Sequence, residues 1–189
     1  FNEARRYGAN IELPCINHSN YTTAIYGKDI YIGFVHIQNL EYKVAQLISA
    51  ERDASGPYLG LEDFARRTGC GLEQLILLVR VNAFRFTSIP KSQLLWKAHL
   101  LAGKKPAPGP MLFAAQEKAF HFPTPETDPV QDAYDEMELL GFTVSMSPFD
   151  LVKSDFRGEL MANEMLQQLG RRVRMVGWLV TIKYVRTVK

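Results

Sequence analysis

Apolar residues recur at helical spacing in several short segments, and residues that end helices follow them. Val44, Leu47 and Ile48 share one face of a predicted helix over residues 41–52. The same spacing predicts helical segments over residues 61–67, 72–81, 130–140 and 160–169. A further helix, capped by Thr87 or Ser88 and with Pro90 in its first turn, is predicted to run through Leu101. Gly69, Asn82 and Gly141 follow three of these segments. Because Gly and Asn tolerate the left-handed conformation, they mark where these helices end.

Two other parts of the chain have patterns typical of strands. Residues 21–25 and 30–34 are rich in β-branched and aromatic side chains, and the glycine-bearing residues 26–29 between them predict a β-hairpin. Near the carboxyl end, Val173 and Met175 alternate with two arginines. This alternation predicts a strand that carries both arginines on one face.

Residues 102–129 have a different composition, with six prolines in 28 residues. Proline at this density excludes a continuous helix and predicts a linker that runs over a surface. Leu112 and Phe113 are adjacent large apolar side chains within this segment. Such side chains on a linker require a pocket, either in their own protein or in a partner.

The net charge of +2 identifies no partner, but its distribution is uneven. Residues 125–165 contain ten acidic and two basic side chains, and no acid follows Glu164. This asymmetry makes the C-terminal end a candidate for contact with a polyanion. The acids of the helix predicted over residues 130–140 are expected to lie on its solvated face. They are Asp132, Asp135, Glu136 and Glu138.

Several classes of protein are disfavoured by what the sequence contains. Its two cysteines fit a reducing cytoplasm, and its four histidines are scattered without the spacing of metal ligands. No apolar run approaches the roughly 20 residues needed to cross a membrane. We therefore expect a cytoplasmic protein without membrane contact, and no catalytic residue, metal site or cofactor in this chain. The missing initiator Met indicates a piece of a longer protein.

Four segments resemble, in order, the region of bacterial DNA polymerase III alpha subunits that follows the polymerase active site. They read EARRYGANIELPCINHS at residues 3–19, GPYLGLEDFARR at 56–67, LEQLILLVRVNAF at 72–84 and MELLGFTVSMSPFD at 137–150. Each segment by itself is a weak signal. Their order over nearly the whole chain carries the resemblance.

The resemblance implies a mainly α fold with small β parts. It divides the chain into the end of the fingers region (1–20), a β-hairpin with a tandem helix-hairpin-helix domain (21–101), the proline-rich linker (102–129), a helical lead-in (130–170) and the start of an OB-fold (171–189). An OB-fold needs about five strands. The chain is therefore expected to contain only the first strands of that barrel.

The resemblance also implies a function. The parent protein would be a DNA-directed DNA polymerase that transfers nucleotides through aspartates and Mg²⁺ bound outside this segment. This segment, itself non-catalytic, would hold duplex or template DNA behind the active site during replication. It would engage the sliding clamp through Leu112 and Phe113, and it would contact other polymerase domains and replisome subunits.

Two sets of side chains are candidates for contact with DNA. The second hairpin places cations and a hydroxyl near a helix N-terminus, where a duplex phosphate can bind without sequence reading. These residues are Arg85, Ser88, Lys91 and Lys97. The predicted C-terminal strand combines cations with an aromatic ring, as surfaces that bind single-stranded DNA do. Its residues are Arg172, Arg174, Trp178, Lys183 and Arg186.

The first hairpin, residues 37–41, departs from the family pattern because it has no glycine and adds Glu41. Without glycine its backbone has less freedom to reach a positive φ, and a carboxylate repels phosphate. We expect this hairpin to pack rather than to bind DNA. Two alternatives remain at this point. The chain is a purely structural connector between polymerase modules, or it is a helix-hairpin-helix domain of a repair protein.

Overall fold

The computed structural model describes residues 1–103, 128–177, 179 and 181–183, and the chain divides into two compact units, Phe1–Met146 and Ser147–Lys189. Most of the first unit is helical, which confirms the mainly α prediction. Its helices are α1 (Asn2–Arg6), α2 (Tyr42–Ser55), α3 (Leu61–Thr68), α4 (Leu72–Arg80), α5 (Lys91–Gly103) and α6 (Pro129–Leu140).

A three-stranded sheet precedes the long helices. Its strands are β1 (Asn10–Glu12), β2 (Ala24–Tyr26) and β3 (Asp29–Tyr31), in the order β1-β3-β2. The antiparallel pair β2–β3 confirms the predicted β-hairpin, with strands shorter than the pattern indicated. Strand β1 pairs with β3 in parallel, and this pairing joins segments that are separated along the chain.

The ends of three helices follow the conformational preferences of single residues. Gly69, Asn82 and Gly141 follow α3, the last turn of α4 and α6, and their φ angles are 59°, 63° and 82°. All three lie in the left-handed region, as predicted for residues that end a helix. At the other end of α6, the Asp128 side chain accepts a hydrogen bond from the Val130 N–H, and Pro129 occupies the first turn.

One hydrophobic core unites the helices of the first unit. Its central aromatic rings are Tyr58, Phe64 and Phe84, with Phe64 packed edge-on against the other two at centroid distances of 5.0 and 5.2 Å. Leu139 and Leu140 of α6 belong to the same core. Helix α6 is therefore built into the helical unit, although a long segment separates it from α5 in the sequence.

The second unit contains short turns rather than long elements. Ser147 caps a 3-10 turn over Pro148–Leu151, and a 3-10 helix spans Ala162–Gln168. The helical segment predicted over residues 160–169 is thus present, with 3-10 geometry. Between residues 171 and 177 the structure has one isolated antiparallel bridge, Gly158–Met175, and no longer strand. The OB-fold stays a prediction.

Candidate nucleic-acid interface

Two helical hairpins dominate the first unit. Hairpin A comprises a 3-10 turn over Phe34–His36, a loop over residues 37–41 and helix α2. Hairpin B comprises helix α4, a 3-10 turn over Arg85–Thr87 and helix α5. Helix α3 connects them in the sequence. The two hairpins therefore form a tandem arrangement in which a tight turn precedes a longer helix.

Both turns contain a residue in the left-handed region, three positions before the helix begins. In hairpin A this residue is Asn39, with φ 63°, and in hairpin B it is Ser88, with φ 55°. Leu40 and Ile89 follow them and pack against the core. Hairpin A thus reaches a positive φ without glycine, because Asn also tolerates this conformation.

The start of each longer helix is where the hairpins can meet an anion. The first-turn N–H groups of α2 and α5 have no carbonyl partner within the helix, and the helix dipole adds partial positive charge there. Tyr42 and Lys43 are exposed on the first turn of α2, and Ser88 is exposed before α5. Such a helix start can bind a phosphate oxygen through its backbone.

The loop of hairpin A is held by side-chain and backbone hydrogen bonds. The buried Gln74 donates from Nε2 to the Asn39 carbonyl at 3.1 Å and accepts the Glu41 N–H at 2.8 Å. The Gln38 N–H donates to the Leu139 carbonyl of α6 at 2.8 Å. These contacts from two other helices fix the loop conformation. Nothing in the sequence pattern singled out Gln74 for this role.

Two of the basic residues predicted for DNA contact bind within the protein. Arg85 donates to the Pro14 carbonyl at 2.9 Å and to Glu12 Oε2 at 3.0 Å, so it ties hairpin B to the strand β1. Lys97 Nζ lies 3.1 Å from Glu62 Oε1. Either side chain would have to exchange a carboxylate for a phosphate in order to bind DNA. Their role at DNA stays a prediction.

Lys91 is held more firmly, by helix α6. Its Nζ lies 2.6 Å from Asp132 Oδ1 and 3.1 Å from Asp135 Oδ2. Asp135 Oδ1 also accepts from Arg80 Nη2 at 2.7 Å, and Arg80 binds Glu138 as well. The hydrogen bond that Arg80 donates to Glu138 raises the pKa of the Arg80 guanidinium and lowers the pKa of the Glu138 carboxyl.

The prediction of a solvated acidic face on α6 was wrong for two of its four acids. Asp135 is only 4% exposed and Glu136 only 2%. Asp135 tolerates burial because Arg80 and Lys91 both bind it. Glu136 Oε2 accepts the N–H groups of Val144 and Ser145, which hold the chain just beyond the helix.

The second unit holds part of the predicted single-strand site. Arg174 Nε donates to Glu159 Oε1 at 2.7 Å, and this bond lowers the pKa of the Glu159 carboxyl. The Arg174 guanidinium also lies 5.1 Å from the centroid of the Phe156 ring. Arg172 and Lys183 are exposed. Trp178, Arg186, Leu112 and Phe113 lie outside the described residues, so their predicted roles stay predictions.

Metal sites and membrane-spanning helices are both absent from the part of the chain that the structure describes. There, no cluster of three or more His, Cys, Asp or Glu side chains has a geometry that could hold a metal ion. Likewise, none of the described helices combines the length and apolar character needed to cross a membrane. The tandem hairpins are the feature of the described residues that suggests a function.

The known proteins that this chain resembles in sequence include several DNA polymerases. Residues 8–94 match the family model described as a helix-hairpin-helix motif. The error-prone DNA polymerase of Mycobacterium tuberculosis is 28% identical over 106 residues, which cover 55% of this chain and 10% of that protein. The DNA polymerase III subunit alpha of Aquifex aeolicus is 30% identical over 152 residues, covering 78% of this chain and 12% of that protein.

The error-prone DNA polymerase of Corynebacterium efficiens is 25% identical over 183 residues, or 93% of this chain and 16% of that protein. The chain thus spans 10–16% of the length of these three relatives. The fold and the family match indicate a helix-hairpin-helix domain over residues 8–94. More narrowly, the matches over much of the chain support the C-terminal region of a C-family DNA polymerase, the group of the DNA polymerase III alpha subunits and the error-prone polymerases.

Proposed function

We propose that this chain is the DNA-binding part of a bacterial C-family DNA polymerase and holds duplex DNA by its phosphates in the cytoplasm. The observation that carries the proposal is the repeated hairpin, in which Asn39 and Ser88 each adopt a positive φ three residues before a helix begins. Nucleotide transfer with Mg²⁺ belongs to other regions of the parent protein. This chain binds the duplex and positions it.

The grip follows from the orientation of backbone groups. A phosphate oxygen placed at the start of α2 or α5 accepts first-turn N–H groups and meets the positive end of the helix dipole. Lys43, exposed beside the first of these turns, adds a full positive charge that offsets the negative charge of the exposed Glu41. None of these groups reads a base edge, so binding is independent of sequence. That property suits a polymerase, which must travel over any template.

A salt series tests this proposal. Fluorescence anisotropy of a labelled primer-template duplex, titrated with the chain, is expected to show an affinity that falls steeply with salt, because bound cations release counterions from DNA. Lys43→Ala is expected to reduce the slope of log affinity against log salt by about one. The control Lys28→Ala, an exposed lysine in the β2–β3 turn, is expected to leave that slope unchanged. Absence of binding at low salt would refute the proposal.

Single-stranded DNA is the second proposed ligand, at the C-terminal cations. Arg172 and Lys183 are exposed and bind no acid in the described part of the chain. Together with Arg174, Trp178 and Arg186 they combine charge with a stacking ring, the combination that accepts any base. The proposal extends the resemblance to an OB-fold, whose remaining strands would come from the parent protein.

The sliding clamp is the proposed protein partner. Leu112 and Phe113 are two adjacent apolar side chains in the sequence between α5 and α6. The double variant Leu112→Ala with Phe113→Ala is expected to abolish co-elution with the cognate clamp in gel filtration, because hot-spot contacts of this kind supply most of the binding energy. A matched variant, Phe120→Ala, changes an aromatic side chain of the same segment. Co-elution that survives the double change would rule out this contact.

A purely structural connector is the second candidate function. It is favoured by the ion pairs of Arg85, Lys91 and Lys97, since each of these predicted DNA contacts binds an acid of the same chain. The salt series distinguishes the two functions. A connector shows no duplex binding at any salt concentration, whereas a DNA-binding region shows the salt-dependent affinity described above.

A further inference from the structure

Helix α6 contacts both hairpins at the positions where each could receive DNA. Its Leu139 carbonyl accepts the Gln38 N–H in the loop of hairpin A at 2.8 Å. Its carboxylates bind Lys91, the first residue of α5 in hairpin B. In both places α6 supplies an oxygen acceptor to a donor of the hairpin. A phosphate group would supply the same kind of acceptor.

The contact with hairpin B is an ion-pair network with an excess of negative charge. Arg80 and Lys91 contribute two positive charges, and the three carboxylates of α6 contribute three negative charges. The network therefore has a net charge of −1 beside the start of α5. A phosphate that approaches this helix therefore meets repulsion in place of the attraction that a free lysine would provide. These carboxylates are Asp132, Asp135 and Glu138.

The network is anchored by apolar packing, so α6 does not need to detach for its charges to matter. Ala133, Leu139 and Leu140 are buried, and the last two belong to the hydrophobic core. The side chains of Asp132 and Glu138, in contrast, are 28% and 64% exposed. Exchange of these carboxylates for a phosphate requires only side-chain motion at the rim of the interface.

We propose that α6 is an internal competitor for DNA at hairpin B. Its carboxylates hold Arg80 and Lys91 in the free protein, and a duplex phosphate must displace them in order to bind. This inference rests on the proposed function, because it assumes that hairpin B meets duplex DNA. The competition lowers the affinity for DNA, so this region by itself grips the duplex weakly and releases it readily.

The test replaces two carboxylates of α6 with uncharged amides. The double variant Asp132→Asn with Glu138→Gln changes the net charge of the network from −1 to +1 and keeps the size of both side chains. Duplex affinity at low salt is expected to rise about tenfold, with a slope of log affinity against log salt that is steeper by about one to two. The single variant Glu138→Gln, at a mostly exposed side chain, is expected to give about a threefold gain without risk to folding.

The control changes net charge by the same amount elsewhere. Glu3→Gln with Glu73→Gln removes two exposed carboxylates that form no ion pair in the described residues. This pair is expected to raise the affinity much less than the α6 pair does. Lys91→Gln added to the α6 pair is expected to reduce the gain to about the threefold effect of Glu138→Gln alone, because Lys91 is then absent and only Arg80 is left to bind the phosphate.

The outcomes separate the two claims. If the unsubstituted chain binds duplex and the α6 pair gains nothing, or no more than the control pair, the competitor is refuted while DNA binding stands. A gain that persists undiminished in the presence of Lys91→Gln also refutes it. If neither the unsubstituted chain nor the α6 pair binds at low salt, the proposed function fails and the competitor fails with it.

Discussion

Phe64→Ala is expected to lower the free energy of unfolding by about 3–5 kcal/mol, the largest effect that we foresee for one substitution. Phe64 is fully buried on α3, and its ring packs edge-on against Tyr58 and Phe84. Alanine removes the ring from the centre of the core and leaves a cavity that the surrounding helices fill only in part. The loss of packing against both neighbouring rings adds to the cost.

Urea denaturation followed by circular dichroism measures this change. Leu59→Ala is the matched control, because Leu59 is 86% exposed on the loop just before α3. That variant is expected to stay within about 0.5 kcal/mol of the unsubstituted chain. If Phe64→Ala costs no more than the control, the aromatic cluster does not carry the stability of the first unit.

Gly33→Ala is expected to cost about 1–3 kcal/mol or more, for a different physical reason. A Cβ atom at this position would lie 2.4 Å from the Thr22 carbonyl carbon, 2.5 Å from the Thr23 nitrogen and 2.6 Å from the Tyr21 carbonyl oxygen. All three are backbone atoms, so the clash cannot be relieved by a side-chain rotation. Glycine is needed here for close approach of two chain segments, since its φ of −74° is open to any residue.

Thermal or urea unfolding of Gly33→Ala checks this expectation, with Gly71→Ala as the control. Gly71 also has an ordinary φ, of −66°, and a Cβ there meets nothing within 4 Å. Its substitution is expected to cost at most about 1 kcal/mol, through the weaker N-cap that alanine makes. Equal costs at the two positions would contradict the close contact around Gly33 and, with it, the placement of hairpin A beside the sheet.

The two hairpins and the helix α6 together give the region a particular electrostatic character. The helix starts offer backbone donors, while the predicted cations Arg85, Lys91 and Lys97 bind acids of the same chain. DNA contact through backbone groups is therefore less dependent on free side-chain charge than the composition alone indicates. If these hairpins hold duplex DNA as proposed, the binding is expected to be weak and independent of sequence.

Local structure and the polymerase family could both be predicted from the order of residues along the chain. Helical spacing predicted α2, α3, α4 and α6. Residues predicted to end helices, such as Asn82, adopt the left-handed conformation that this residue type tolerates. Four short segments in order identified the polymerase region that the relatives then confirmed. These features are readable because helix spacing and left-handed ends depend on residues a few positions apart.

The contacts between distant side chains follow from how the chain folds and could not be predicted from local patterns. Asp135 binds Lys91 and Arg80 across 44 and 55 positions of the sequence, and β1 joins β3 beside the hairpin. Three of the acids expected on a solvated face and Lys91, which was expected to contact DNA, are instead joined in one ion-pair network. Such contacts depend on how whole helices pack around the core, which no local pattern of apolar and polar residues encodes. The partners of the predicted DNA-binding cations, and with them the charge that DNA meets, follow from that packing.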